Sequence, residues 1–99
     1  MNQQLDAILH QPVRTRLVAF LSARGEATFK ELKSLLQVTD GNLDAHLRKL
    51  TSAGFIVSRK EQTSSKRLQT FYSLTPAGIT AFGEYINALQ QLLDIDGDS

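Results

Sequence analysis

Thr39 to Gly54, TDGNLDAHLRKLTSAG, is the stretch whose reading decides the fold. Thr39 is a good helix N-cap, Asp40 puts an anion in the first turn where the helix dipole favours one, and Val38 is placed to staple onto Leu43 across the cap. Leu43, Leu47 and Leu50 recur at i, i+4 and i+7, which makes one apolar edge. Gly54 then supplies a left-handed residue past the end, with Phe55 as the apolar contact that closes it. At about 100° per residue the opposite face carries Gly41, Asn42, Ala45, Arg48, Lys49 and Ser52, a mixture of small, amide and basic groups. Such a face suits a nucleic-acid groove, although on this helix alone it equally describes a solvated surface.

The neighbouring segments narrow the choice. Immediately upstream, Thr28 to Leu36 (TFKELKSLL) reads as another short helix with a Thr28…Glu31 capping box, and only Gln37 and Val38 separate it from Thr39. Two short capped helices joined by a tight turn make a helix-turn-helix. Downstream, residues 55–75 (FIVSRKEQTSSKRLQTFYSLT) read as strand, polar tip and return strand, with Leu68, Thr70, Tyr72 and Leu74 in period-two alternation. Arg59, Lys60, Lys66 and Arg67 surround the tip Thr63-Ser64-Ser65. That tip is longer than a two-residue turn and contains no glycine, so it is expected to be mobile until something binds it.

VTDGNLDAHLRKLTSAGFIVSRKE followed by RLQTFYSLTPAG resembles the winged helix-turn-helix transcription regulators of the MarR and ArsR type. The resemblance covers residues 5 to 90 and is most specific in GNLDAHLRKL, AGFI and YSLTPAG. It implies a mainly α fold with a small β-hairpin wing, α+β in class, in which the second helix of the motif enters the DNA major groove and the wing follows the backbone or the minor groove. Carried onto this sequence, the expected DNA-binding residues are Thr39, Asp40, Gly41, Asn42, Asp44, Ala45, His46, Arg48 and Lys49 on the helix, with Arg59, Lys60, Lys66 and Arg67 on the wing. Two positions depart from the pattern. Gln37 stands where many relatives have glycine after the first helix of the motif, and Asp44 where many ArsR-like chains have serine near DNA.

Composition sets the outer bounds. Ninety-nine residues with 41% apolar content suffice for one domain, 1–99, with a modest core and no metal or disulfide to staple it. The chain has no cysteine, which removes disulfides and thiol sensing and is compatible with a cytoplasmic location. Neither a signal peptide nor a membrane span is indicated. Net charge is only +1, but it is segregated: residues 39–74 carry six Lys/Arg against three acids, whereas residues 75–99 carry four acids and no Lys or Arg. A basic reading face and an acidic far end are expected.

Toward the N-terminus, Asn2 to His10 is expected to form a short helix with Leu5, Ile8 and Leu9 inward, broken before Pro12. A second helix then runs from Pro12 to about Ala23 with Val13, Leu17, Phe20 and Leu21 on one side, and Glu26-Ala27 can add a small strand beside the wing. In the helix from Thr28, Phe29, Leu32, Leu35 and Leu36 form the apolar side. Thr75 caps the last helix with Pro76 at its first position, and Ile79, Phe82, Ile86, Leu89 and Leu93 recur at alternating spacings of three and four. The seam is short for a coiled coil, and packing on its own domain is the alternative. Tyr85 and Leu92 widen it beyond what one small core needs, so it is assigned, with Leu5, Ile8 and Leu9, to a homodimer interface.

Catalytic and metal chemistry find little footing. His10 and His46 lie on different segments with no cysteine or second ligand at metal spacing, and no phosphate loop or nucleophile elbow occurs. No cofactor is expected. The expected function is sequence-specific binding of double-stranded DNA by a homodimeric transcription regulator, acting as a repressor on a palindromic operator. A small-molecule effector, if the chain answers to one, has only the dimer interface to occupy. The alternative from another class is a winged helix serving only protein-protein interaction, which Asp40 and Asp44 near the reading face keep open.

Overall fold

The computed structural model describes residues 5–97, in the order α1 (Pro12–Arg24), β1 (Ala27–Thr28), α2 (Phe29–Leu36), α3 (Asp40–Ser52), β2 (Ile56–Gln62), β3 (Leu68–Leu74) and α4 (Pro76–Gly97). The three strands form one antiparallel sheet ordered β1-β3-β2, in which Ala27 pairs with Tyr72 and Ser58 faces Tyr72 from the other side. The small strand expected at Glu26-Ala27 therefore exists one residue later. The core lies where Leu17, Val18 and Leu21 of α1 meet Leu32 and Leu36 of α2 and Leu43, Leu47 and Leu50 of α3, closed below by Leu9, Ala27, Ile56 and Tyr85. Each fully buried leucine contributes about 1.5–3 kcal/mol from removal of its side chain from water.

Local chemistry accounts for the helix boundaries. Pro12 opens α1 and the Gln11 side chain accepts from the Arg14 N–H at 2.8 Å. Thr28 and Glu31 form the expected reciprocal capping box, at 3.1 and 2.9 Å, and this hydrogen bond from the Thr28 N–H, reinforced by Arg24, holds the Glu31 carboxyl below its usual range. Thr39 accepts from the Asn42 N–H at 3.1 Å and starts α3. At its other end the Phe55 N–H reaches the Leu50 carbonyl at 3.0 Å and the Gly54 N–H reaches Thr51 at 2.9 Å, with Gly54 at φ 80°, which is the Schellman arrangement.

The start of α4 is welded to that same corner. The Thr75 side chain accepts from the Gly78 N–H at 2.9 Å and donates to the Gly54 carbonyl at 2.6 Å, while the Thr75 N–H donates to Phe55 at 3.0 Å. A Cβ at position 78 would stand 2.0 Å from the Phe55 carbonyl oxygen, so the TPAG sequence needs its glycine for backbone approach rather than for a turn. Tyr85 and Ala88 then bury against the core, while Ile79, Ile86, Leu92 and Leu93 remain exposed.

Several expectations are corrected. Residues 2–4 of the expected N-terminal helix lie outside the described residues, and residues 7–9 form turns rather than a helix. The Asp6 carboxylate accepts from the Ile8 and Leu9 N–H groups at 2.8 and 3.1 Å, which closes a single turn ahead of Pro12. Leu9 is only 1% exposed, so its surface is spent in the chain's own core and it is withdrawn from the dimer interface; Leu5 and Ile8 are half-buried beside it. Tyr85, too, belongs to that core. On α2, Leu35 lies at the surface, and on α1, Val18 is fully buried although the spacing did not single it out.

Among the described residues two non-glycines adopt the left-handed conformation, Gln37 at φ 53° and Lys66 at φ 63°. Gln37 is the turn of the helix-turn-helix, where its N–H still reaches the Lys33 carbonyl at 2.9 Å. Because only glycine occupies this region without steric cost, Gln37→Gly is expected to stabilise the fold by up to about 1 kcal/mol in a urea titration. Gly78→Ala is expected to act oppositely, costing about 1–3 kcal/mol by overpacking against Phe55. Equal midpoints for wild type and Gly78→Ala would show that the corner yields freely.

Candidate nucleic-acid interface

Burial of Leu43, Leu47 and Leu50, each no more than 3% exposed, sets the rotation of α3 about its axis. Gly41, Asn42, Ala45, Arg48, Lys49 and Ser52 are consequently exposed. Gly41, Asp44, Ala45, Arg48, Lys49 and Ser52 line one shallow open depression, whose floor is low because two of its members are glycine and alanine. Thr39 lies at the head of this face with its hydroxyl committed to capping.

The sheet supplies a second surface. Tyr72, paired with the buried Ala27, packs against the core and so lies on the helix-facing side of the sheet, where burial, and then the nearby Asp44 carboxylate, push its hydroxyl above its usual range. Ser58 pairs with Tyr72 and Lys60 with Thr70, so by the alternation of strand side chains Lys60 shares that side. Arg59 does not. It pairs with Phe71 on the other face, where its guanidinium lies 4.5 Å from the ring centroid and bonds the Glu26 carboxylate at 2.9 and 3.1 Å, with Glu61 as a further partner. These carboxylates raise its already high pKa, Glu26 most. The wing tip is a hydrogen-bonded loop, with the Lys66 N–H on the Thr63 carbonyl at 2.9 Å and the Thr63 N–H on the Arg67 carbonyl at 2.8 Å. Left-handed Lys66 takes the place that glycine commonly has after such a turn.

Charges on α3 and the wing fall into two groups. Asp40 pairs with Lys33 and Asp44 with Arg48, each at 2.8 Å, and Arg59 is held as described. Lys49, Lys60, Lys66 and Arg67 make no ion pair among the described residues. Exposed pairs of this kind contribute little to stability and matter mainly for which cations are free to meet an anion.

His46 has a partner on another helix. It lies on the flank of α3 against α1, half-buried, with Nδ1 3.1 Å from Arg14 Nη1. Arg14 is itself fixed through Nε to the Ile8 carbonyl at 2.6 Å. Since the guanidinium can only donate, His46 Nδ1 accepts, and the ring is neutral. Burial, and then the Arg14 charge, lower the His46 pKa. Thr70 and Tyr72, in period-two alternation with Leu74 but absent from the expected DNA-binding residues, lie on the side of Lys60. No group of potential metal ligands occurs among the described residues, and no helix among them is long and apolar enough to cross a membrane.

A model of winged helix DNA-binding domains matches residues 13–93. An uncharacterized protein of Methanocaldococcus jannaschii is 36% identical over 85 residues, which span 86% of this chain and 91% of that one. The solved structure of a transcriptional regulator homologue from Pyrococcus horikoshii OT3 superposes with a TM-score of 0.80 at 31% identity, covering 88% of this chain and 85% of its own. A MarR family transcriptional regulator from Silicibacter pomeroyi shares the fold, with a TM-score of 0.70 at 22% identity over 87% of this chain and 56% of that one.

The His46 contact has a testable consequence. With its folded pKa lowered from 6.5, the unfolded chain binds the proton more readily, so the contribution of His46 is complete above about pH 6.5 and is lost as pH falls through the lowered value. Denaturation between about pH 5 and 8 is expected to show stability declining toward acid, with a shallower decline in His46→Gln. Parallel profiles for the two proteins would remove His46 as the origin.

Proposed function

This chain belongs to the winged helix DNA-binding domain family, and we propose that, like regulators of the MarR and ArsR type, it is a sequence-specific repressor acting as a homodimer on a palindromic operator. The observation that carries this reading is the exposed small and basic face of α3, flanked by a wing whose Lys60, Lys66 and Arg67 lack carboxylate partners among the described residues. In this reading α3 enters the major groove, Asn42 and Arg48 meet base edges, and the wing cations neutralise phosphates. Arg59 and His46 contribute through the frame rather than by contact. In this reading the operator is occluded by occupancy.

Dimerisation is the second half of the proposal. One reading helix and one wing bury only about 600–1,000 Å² on DNA, too little to single out a genomic site, whereas a twofold pair makes the second contact effectively intramolecular. Ile79, Ile86 and Leu93 are 61%, 42% and 65% exposed and stand seven residues apart, with the half-buried Phe82 and Leu89 between them and Leu92 alongside. Water-exposed apolar side chains in such a row favour burial against a second copy. Leu5 and Ile8 flank the pair in this arrangement.

Two measurements follow. Replacing Lys66 and Arg67 together by alanine is expected to weaken binding to every duplex and to flatten the dependence of log K on log salt by about one to two units. An interaction module that uses apolar contacts instead of DNA would show no steep salt dependence at all. Ile86→Asp is expected to leave a folded monomer, because Ile86 faces water in the single chain, and to reduce operator affinity by at least about tenfold through lost avidity. An Ile86→Asp protein that still sediments as a dimer and binds a palindrome normally would take the α4 seam out of assembly.

A further inference from the structure

We propose that Asp44 determines specificity on the α3 face, by holding Arg48 along one edge so that its terminal nitrogens meet a guanine, and by opposing duplexes that lack one. This rests on the reading of α3 as the DNA-contacting helix. The carboxylate Oδ2 of Asp44 lies 2.8 Å from Nε of Arg48, one turn further along the helix. Both side chains are well exposed, 50% and 80%, so the pair contributes little to folding. Its place is the point of interest. Asp44 and Arg48 sit in the same depression as Gly41 and Ala45, where the absence of bulk lets a duplex approach the helix backbone closely.

A guanidinium is a planar fork of donors that cannot lose its proton. With Nε engaged by Asp44, the donors left outward are those on the two terminal nitrogens, and such a pair matches O6 and N7 of guanine in the major groove. Contact with guanine leaves the ion pair intact. Contact with a phosphate in place of a base draws Arg48 toward the backbone, which leaves a carboxylate unpaired among phosphates. The same residue therefore orients the correct contact and penalises the incorrect one, as specificity by repulsion requires. Lys49, Lys60, Lys66 and Arg67 have no such restraint among the described residues and supply the sequence-independent attraction. Arg48 and the four free cations thus divide the work.

The test begins with selection of preferred duplexes from a random library by the full chain. Binding of wild type, Asp44→Asn, Arg48→Ala and the double variant is then measured by fluorescence anisotropy at one fixed salt, on the selected duplex, on single-base variants of it and on random duplex. Asp44→Asn is expected to bind random duplex about twofold or more tighter, by removal of one repulsive charge. It is also expected to lose about tenfold discrimination at one G·C position while keeping the rest. In the Arg48→Ala background the same change is expected to leave discrimination at that position where it is, since Asp44 acts there through Arg48. An Asp44→Asn protein that discriminates as wild type does at every position overturns the proposal, as does a uniform loss of affinity accompanied by a lower melting temperature. A wild-type chain with no preference among duplexes overturns the DNA-reading function itself, and this inference with it.

Discussion

Everything on the proposed reading surface depends on the burial of one leucine edge. Leu43, Leu47 and Leu50 are 0%, 3% and 0% exposed, and their combined removal from water contributes several kcal/mol, with about 2–5 kcal/mol lost for each one truncated to alanine. Rotating α3 by one residue, about 100°, would pull this edge out of the core. The outward face is therefore a consequence of the inward one. The helix is further held at both ends, by Thr39 at its start and by the Gly54 and Phe55 amides at its finish, so neither its rotation nor its register is free.

The same corner carries the constraint onward. Gly78 lets α4 begin against the Phe55 carbonyl, which fixes the end of α3, the start of β2 and the start of α4 in one place. From there α4 turns Tyr85 and Ala88 inward and leaves the row Ile79, Ile86 and Leu93 uncovered. A stretch that a family resemblance marks only as a motif, TPAG, thus has a physical reason: one hydroxyl that both caps a helix and ties it to the preceding turn, and one missing Cβ.

What was legible in the sequence was what is decided within about one helical turn. The caps at Thr28, Thr39 and Thr75 and the glycine stop at Gly54 each involve partners three or four residues away, and all four stand where their residue types put them. The periodicity of α3 was equally local. What was not legible depends on distant partners. His46 is taken up by Arg14, 32 residues earlier, and Arg59 by Glu26, 33 residues earlier, and neither partner is visible from a helical wheel or a strand pattern. Leu9 was assigned to an interface on hydrophobicity alone, because a spacing reports that a residue will be buried without reporting against what. Val18 shows the reverse, since an apolar residue beside an arginine-rich helix surface gives no hint in the sequence of its full burial.

On the proposed function, the outer face of α3 lies in the major groove of DNA, in two copies related by a twofold axis. Guanine N7 faces that groove and no other, so methylation interference at N7 reads it directly. Methylation of guanines in two clusters on one face of the duplex, about one helical turn of ~10 bp or a multiple of it apart, is expected to prevent binding, while methylation between the clusters is not. Binding that is indifferent to N7 methylation, or sensitive to it at a single cluster, would rule out a twofold pair of α3 helices in the major groove.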